Sequence, residues 1–148
     1  MTPTFGELFA AVTAGPGHFG HREHVHLTWL AIRRVGPDAA IGLVGDGIRR
    51  TARYAGQPRK YHVTMTRAWV ELIAARMRPD DPDFAVFAAR HPEVLDKRLL
   101  NEHYRPGTLA TQAARTGWVP PDARPFSAGP PATPRARPGI SPGDADVR

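Results

Sequence analysis

The chain has 148 residues, enough for one domain with a buried core, and its 41% hydrophobic and 23% charged residues are typical of an ordinary globular protein. It contains no cysteine, which excludes disulfides, thiolate metal sites and cysteine nucleophiles, so nitrogen and oxygen ligands must hold any metal. The net charge of +6 raises phosphate or nucleic-acid binding, but the arginines are spread along every segment, so the charge indicates a partner only weakly.

Membrane insertion and secretion are not expected from the sequence. No apolar run approaches the length of a membrane span, which is about 18–20 residues. The N-terminus lacks the basic segment and apolar core of a secretion signal. We therefore expect no membrane partner and a cytoplasmic location.

Helical periodicity of apolar residues predicts a short helix followed by three longer ones. Glycine and proline pairs separate these helices, as at Gly36-Pro37, and Pro79 ends the last of them. The predicted segments are residues 4–14, 20 or 21 to 35, 38 to 54 or 55, and 61 to 77 or 78.

Three shorter helices are predicted after Pro79. One carries Phe84 and Phe87 and stops before Pro92, the next opens at Pro92, and the last covers residues 108–115. No strand pattern is found in the sequence. The predicted fold is therefore all-α, a compact helical bundle of three longer helices with short helices packed around it.

The last 29 residues differ in composition from the rest of the chain. Eight prolines fall between Pro120 and Arg148, and the segment has almost no aliphatic residues. Such a segment buries too little apolar surface to offset its ordering entropy. We predict a helical domain at residues 1–119 and a flexible, proline-rich tail at 120–148, so that truncation after Asp122 would leave the melting temperature nearly unchanged.

Histidines recur on the inward faces of two predicted helices. At about 100° per residue, His21, His24 and Thr28 join the apolar face of the second helix, while His26 lies with the charged residues. On the fourth helix the predicted apolar face includes His62, Met65, Thr66 and Trp69, and Thr64 is predicted to face away.

Three inward histidines are suited to a first-row transition metal. His21 and His24 can chelate from one helix face, and His62 would come from a neighbouring helix, leaving an open coordination position as in catalytic sites. Zinc would imply hydrolytic or lyase chemistry and iron or copper oxidative chemistry, and the sequence does not choose. The leading hypothesis is a metal-dependent enzyme acting on a small organic molecule. Its candidate catalytic residues are His21, His24, His62, Tyr61 and Thr66, with Thr28, Trp29, Met65, Trp69 and Tyr104 lining the substrate pocket.

A shared metal requires the three imidazoles to converge. The third helix separates the other two in sequence, so an up-down-up order would make the second and fourth helices parallel. Both motifs would then lie at one end of the bundle, with Thr28 and Thr66 one or two turns deeper.

Two alternatives for the histidines remain open. They could be core residues hydrogen-bonded to Thr28, Thr66 or backbone carbonyls. One of them could instead be a metal-free general base in an apolar pocket lined by Trp29, Met65 and Trp69.

A basic patch is formed by Arg49, Arg50 and Arg53, with Arg59 and Lys60 nearby. The simpler interpretation is a solvated helix face. The alternative is a non-catalytic module that binds nucleic acid or another polyanion, although no helix-turn-helix signature is present. We expect a small-molecule partner rather than nucleic acid, and homo-oligomer formation is left open.

The histidine motifs resemble those of a known group. The spacing Phe19-x-His21-x-x-His24 before Trp29, and Lys60-Tyr61-His62-x-Thr64-x-Thr66-x-x-Trp69, is similar to that of a small, uncharacterised bacterial family of all-helical proteins. The run from Tyr104 to Ala110 and the later Val119-Pro120-Pro121-Asp122 are similar to the C-terminal pattern of that family. The resemblance covers roughly residues 5–122 and implies no particular activity. Position 63 is often acidic in that pattern and is Val63 here, so any role of the acid is missing from this chain.

Overall fold

The structure, a computed structural model, describes residues 2–126, and this part is helical without strands, as predicted. Short 3-10 turns occur where the sequence predicted a helix after Pro92. The α-helices are α1 (Phe5–Thr13), α2 (His21–Val35), α3 (Pro37–Tyr54), α4 (Val63–Arg76), α5 (Phe84–Arg90) and α6 (Gln112–Thr116), and the 3-10 turns are Pro58–Lys60, Pro92–Leu95, Lys97–Glu102 and Thr108–Ala110.

Helices α2, α3 and α4 pack against one another and form the centre of the bundle. Gly36 alone joins α2 to α3, and its φ of 86° gives the sharp reversal that a residue with a β-carbon would resist. The start of α2 contacts α4 through His21 and Trp69. Eight residues further along each helix, Trp29 of α2 and Met77 at the end of α4 line one cleft. Helices α2 and α4 are therefore parallel, as the up-down-up order predicted.

Helix α4 is buried on more sides than an amphipathic helix would be. Thr64, predicted to face away from the core, is completely buried, whereas Met65, predicted to face inward, is 37% exposed. The predicted apolar face of α4 is therefore wrong at its first turn. The reason lies in the chain after α6, which covers the side of α4 that the periodicity assigned to solvent.

Thr64 attaches this later segment to α4. Its hydroxyl donates to the carbonyl of Gly117 (2.7 Å) and accepts from the N–H of Val119 (3.0 Å). The hydroxyl of Tyr104 donates to the carbonyl of Val119 (2.7 Å). The segment is thereby fixed against two separate elements of the domain.

The ordered contacts continue past the predicted domain boundary. The imidazole Nδ1 of His103 lies 2.8 Å from the carbonyl oxygen of Arg124, and the N–H of Ala123 donates to the carbonyl of His103. The ring of Phe126 packs against His103 at a centroid distance of 5.0 Å. Residues 123–126, which the sequence assigned to the tail, therefore pack against the helical domain, and the predicted tail from residue 127 onward lies outside the described residues.

Among residues 2–126, no helix combines the length and the apolar character that a membrane span requires.

Candidate functional site

His62 caps the N-terminus of α4. Its Nδ1 accepts a hydrogen bond from the backbone N–H of Met65 (3.0 Å), and its Nε2 lies 2.7 Å from the carbonyl of Leu109. Since Nδ1 accepts, the proton resides on Nε2 and is donated to Leu109. Both ring nitrogens are thus committed to the fold, and neither offers a free lone pair to a metal.

His21 begins α2 and is anchored at a third element. Its Nε2 donates to the carbonyl of Val94 (3.0 Å), and its ring stands edge-on against the indole of Trp69. Burial lowers the pKa of His21 below its ordinary value. The hydrogen bond to Val94 leaves Nδ1 as the only acceptor of the ring.

His24 is half-buried one turn further along α2. Its ring lies edge-on to Phe19, and the centroid distances to Phe19 and to His21 are both 6.3 Å. Burial lowers the pKa of His24 to about 4, and the neighbouring His21 lowers it further in the same direction. At neutral pH this imidazole is therefore uncharged.

The three histidines do not form a common ligand set. Within residues 2–126, no group of three histidine or carboxylate side chains is placed to hold a metal ion. The helices are parallel, but His21 is level with Trp69, which follows His62 by two helical turns, or roughly 10 Å. The geometry therefore does not support the predicted zinc, iron or copper site on His21, His24 and His62.

The predicted substrate pocket is not assembled either. Trp29 packs against Phe84 and Phe87 of α5, at centroid distances of 6.0 and 6.2 Å, rather than beside the histidines. Met65 is exposed, and Tyr104 is buried under the C-terminal segment. Trp69 alone among these aromatic and apolar pocket residues contacts a histidine of the pair.

The remaining polar candidates fall into two places. The hydroxyl of Thr28 donates to the carbonyl of His24 in its own helix (2.9 Å). Tyr61 and Thr66 meet at Gly45 of α3, where an added β-carbon would lie 3.5 Å from the Tyr61 hydroxyl oxygen and 3.9 Å from the Thr66 methyl group. Thr28 therefore has a local backbone role, and Tyr61 and Thr66 pack together against α3.

An apolar cavity of about 290 Å³ lies between α1, the loop before α2 and the last turns of α3. The sequence did not reveal this cavity, because Phe5 and Phe9 have the spacing of ordinary core residues of α1. The rings of Phe9 and Phe19 stack at a centroid distance of 4.8 Å in its wall. The cavity is lined by Phe5, Phe9, Phe19, Ile48, Thr51, Ala52, Ala55, Gln57 and Lys60.

Gly47 determines how α1 meets α3 at this cavity. A β-carbon at Gly47 would overlap the ring of Phe5, so the ring occupies space that only glycine leaves open. Phe5 is thereby held flat against α3, and the wall of the cavity is built on a close helix contact. Glycine has a low helix propensity, and its presence inside α3 at this position is explained by the packing of Phe5.

The arginines of the predicted basic patch differ in their surroundings. Arg49 forms an exposed ion pair with Asp46 (3.5 Å). Arg50 and Arg53 instead line an open groove with Thr51 and Tyr54, and Tyr54 is 98% exposed. The groove and the apolar cavity share Thr51 and lie on different sides of α3.

No family model, no curated protein and no solved structure matches the chain.

Proposed function

We propose that the protein binds a small, mainly aromatic organic anion in the cavity between α1 and α3. The observation that carries this proposal is the apolar cavity itself, whose walls come from three separate segments and whose mouth carries a cation. Ligand sites of small molecules are concave and apolar, with a few polar groups that set orientation. This cavity has that composition.

The size of the cavity limits the ligand. A cavity of about 150 Å³ lined by apolar side chains holds benzene. The 290 Å³ here is therefore suited to one ring with a short side chain or to two fused rings. The stacked rings of Phe9 and Phe19 favour a flat aromatic ligand that can pack against a ring face or edge.

The polar residues at the mouth favour a negative charge on the ligand. Lys60 and Gln57 are exposed residues that line the cavity, so both border its opening to solvent. An ammonium group there attracts a carboxylate, and the amide of Gln57 offers a donor. An apolar ring inside the cavity and an anionic group at Lys60 would satisfy both environments.

A proton-transfer reaction at the histidine pair has less support. A general base is most efficient when its pKa lies near the working pH. Burial lowers the pKa of His24 to about 4 and lowers that of His21 as well, so both imidazoles are weaker bases than an exposed histidine. The proposal is therefore one of binding, with no reaction assigned.

Calorimetric titration with 2-naphthoate and its uncharged analogue 2-naphthamide tests the proposal. Ala52 is a buried residue of α3 that lines the cavity, and Ala52→Leu would fill it. We expect this variant to lose both ligands while it keeps a cooperative thermal transition. Ala39→Leu, at an exposed site on the same helix outside the cavity, should bind both as the unmodified protein does.

A matched pair of variants, Lys60→Met and Arg59→Met, tests the role of the positive charge at the mouth of the cavity. Lys60→Met should weaken naphthoate binding by roughly 2- to 5-fold, the range for an exposed ion pair, and leave naphthamide unaffected. Arg59→Met removes the neighbouring cation, which does not line the cavity, and should change neither affinity. Absence of binding by either ligand, or binding that Ala52→Leu leaves intact, would contradict the proposal.

A further inference from the structure

A second site lies on the outer side of α3, at the open groove formed by Arg50, Thr51, Arg53 and Tyr54. Tyr54 is 98% exposed at the end of the helix, so its ring makes little contact with the rest of the protein. Tyrosine normally buries most of its ring. A ring that projects fully into solvent beside two cations is available to a partner.

The two arginines of the groove are available as well. In the described part of the chain, neither Arg50 nor Arg53 takes part in an ion pair, whereas some other arginines, among them Arg67 and Arg76, are paired with carboxylates. Arg49 is the relevant contrast, because it lies on the same helix and is paired with Asp46. The groove thus concentrates unneutralised positive charge around one exposed aromatic ring.

Further positive charge follows directly in the chain. After Tyr54, Gly56 turns the backbone with a φ of 73°, and the turn Pro58–Lys60 presents Arg59 and Lys60 at the surface. The guanidinium of Arg115 donates to the carbonyl of Arg59, which adds a cation from α6 to the same end of the molecule. A strand of several phosphates could therefore pass from one cation to the next.

We propose that this surface, formed by Arg50, Arg53 and Tyr54, binds single-stranded nucleic acid. An aromatic ring on which a base stacks, flanked by cations that contact the backbone, is the arrangement by which proteins bind single strands without sequence preference. A duplex fits less well, because its bases are already stacked and cannot use Tyr54. A polyanion without bases would use the arginines alone.

Fluorescence anisotropy with labelled oligothymidylate tests the proposal, with a duplex of equal length and heparin as competitors. We expect a dissociation constant of roughly 1–100 µM near 50 mM salt. Tyr54→Ala should weaken binding by about 5- to 150-fold, the effect of losing one stacked base, while Tyr54→Phe should stay within about twofold.

The salt dependence of the binding constant distinguishes arginines that contact phosphates from arginines that do not. Each phosphate contact contributes roughly −0.7 to the log–log slope for a single strand, so Arg50→Gln or Arg53→Gln should each reduce the magnitude of the slope by about 0.7. Arg49→Gln removes the same charge from the same helix at a residue already paired with Asp46, and it should leave the slope unchanged. Ala52→Leu should also preserve oligonucleotide binding, so failure of the cavity proposal leaves this one standing.

Any of the following results would overturn the inference. The first is no anisotropy change at low salt. The second is equal weakening by Arg49→Gln and Arg50→Gln, which would indicate a response to net charge alone. The third is an affinity for oligothymidylate that Tyr54→Ala does not alter, or competition by duplex at equal strength, either of which would indicate general polyanion binding.

Discussion

The ring of His21 stands edge-on against the indole of Trp69, with the ring centroids 4.8 Å apart, and this contact fixes the register between α2 and α4. His62 lies two turns earlier on α4, where it caps the helix. The parallel order of these helices is necessary for a shared histidine site but does not suffice, because the register shifts the two motifs apart along the bundle axis.

The free energy of unfolding should decrease in mild acid because of His24. An unfolded histidine takes up its proton near pH 6.5, whereas the pKa of His24 in the folded protein is lowered to about 4 by burial. The contribution of neutral His24 is complete above pH 6.5 and is lost as the pH falls towards 4, since the unfolded state then binds more protons. At about 1.4 kcal/mol per pKa unit, the loss is roughly 3 kcal/mol. Urea unfolding between pH 7 and 4 measures it.

The variant His24→Gln isolates this effect from that of the carboxylates. It removes the titrating group, so its free energy of unfolding should vary less between pH 6.5 and 4 than that of the unmodified protein. A proton titration of the His24 ring by NMR gives the pKa directly. A midpoint near 6.5 would contradict the burial argument.

Gly47 and Gly42 of α3 should respond in opposite directions to alanine. At Gly47 the new methyl group would overlap the Phe5 ring, and overpacking of this kind reduces stability by about 1–3 kcal/mol. At Gly42 no atom lies within 4 Å of the added carbon, so the gain in helix propensity should stabilise by up to about 1 kcal/mol. Chemical denaturation of both variants checks this, and stabilisation by Gly47→Ala would refute the close contact.

Replacement of His62 should reduce stability rather than abolish a metal site. His62→Ala removes the cap of α4 and the hydrogen bond to Leu109, and we expect a loss of about 1–3 kcal/mol in the free energy of unfolding. His62→Asn keeps a capping acceptor and should recover part of the loss. If both variants instead matched the unmodified protein in urea, the capping role would be excluded.

Residues 123–126 should contribute measurably to stability. Truncation after Asp122 removes the hydrogen bonds to His103 and the ring of Phe126, whereas truncation after Phe126 retains them. We expect the shorter protein to unfold with about 1–3 kcal/mol less free energy than the longer one, from lost hydrogen bonds and apolar burial. Equal melting temperatures would mean that this docking is energetically neutral.

The sequence was sufficient to predict α1 to α5 and the parallel order of α2 and α4, because these follow from apolar periodicity and from glycine and proline positions. It was insufficient where burial came from segments distant in the chain. Thr64 has the position of a solvent-facing residue on a helical wheel, yet Gly117 and Val119 cover it. Periodicity describes one helix at a time and carries no information about such a cover.

The candidate sites, too, were predictable only where they depend on a single helix. An inward position could be predicted for His21 and His24, but the register that separates them from His62 depends on how α2 and α4 pack. The cavity was missed since its phenylalanines come from two segments and meet only after α1 docks on Gly47. For the groove, the arginines were visible in the sequence, whereas the exposure of Tyr54 was not.

The hydroxyl of Thr64 joins α4 to residues that are synthesised more than fifty positions later. Synthesis proceeds from the N-terminus, and domains fold as units. While the ribosome is still adding these residues, α2, α3 and α4 can associate, but the first turn of α4 stays uncovered. The nascent chain therefore exposes this part of its central helix until residues 117–119 have emerged from the ribosome.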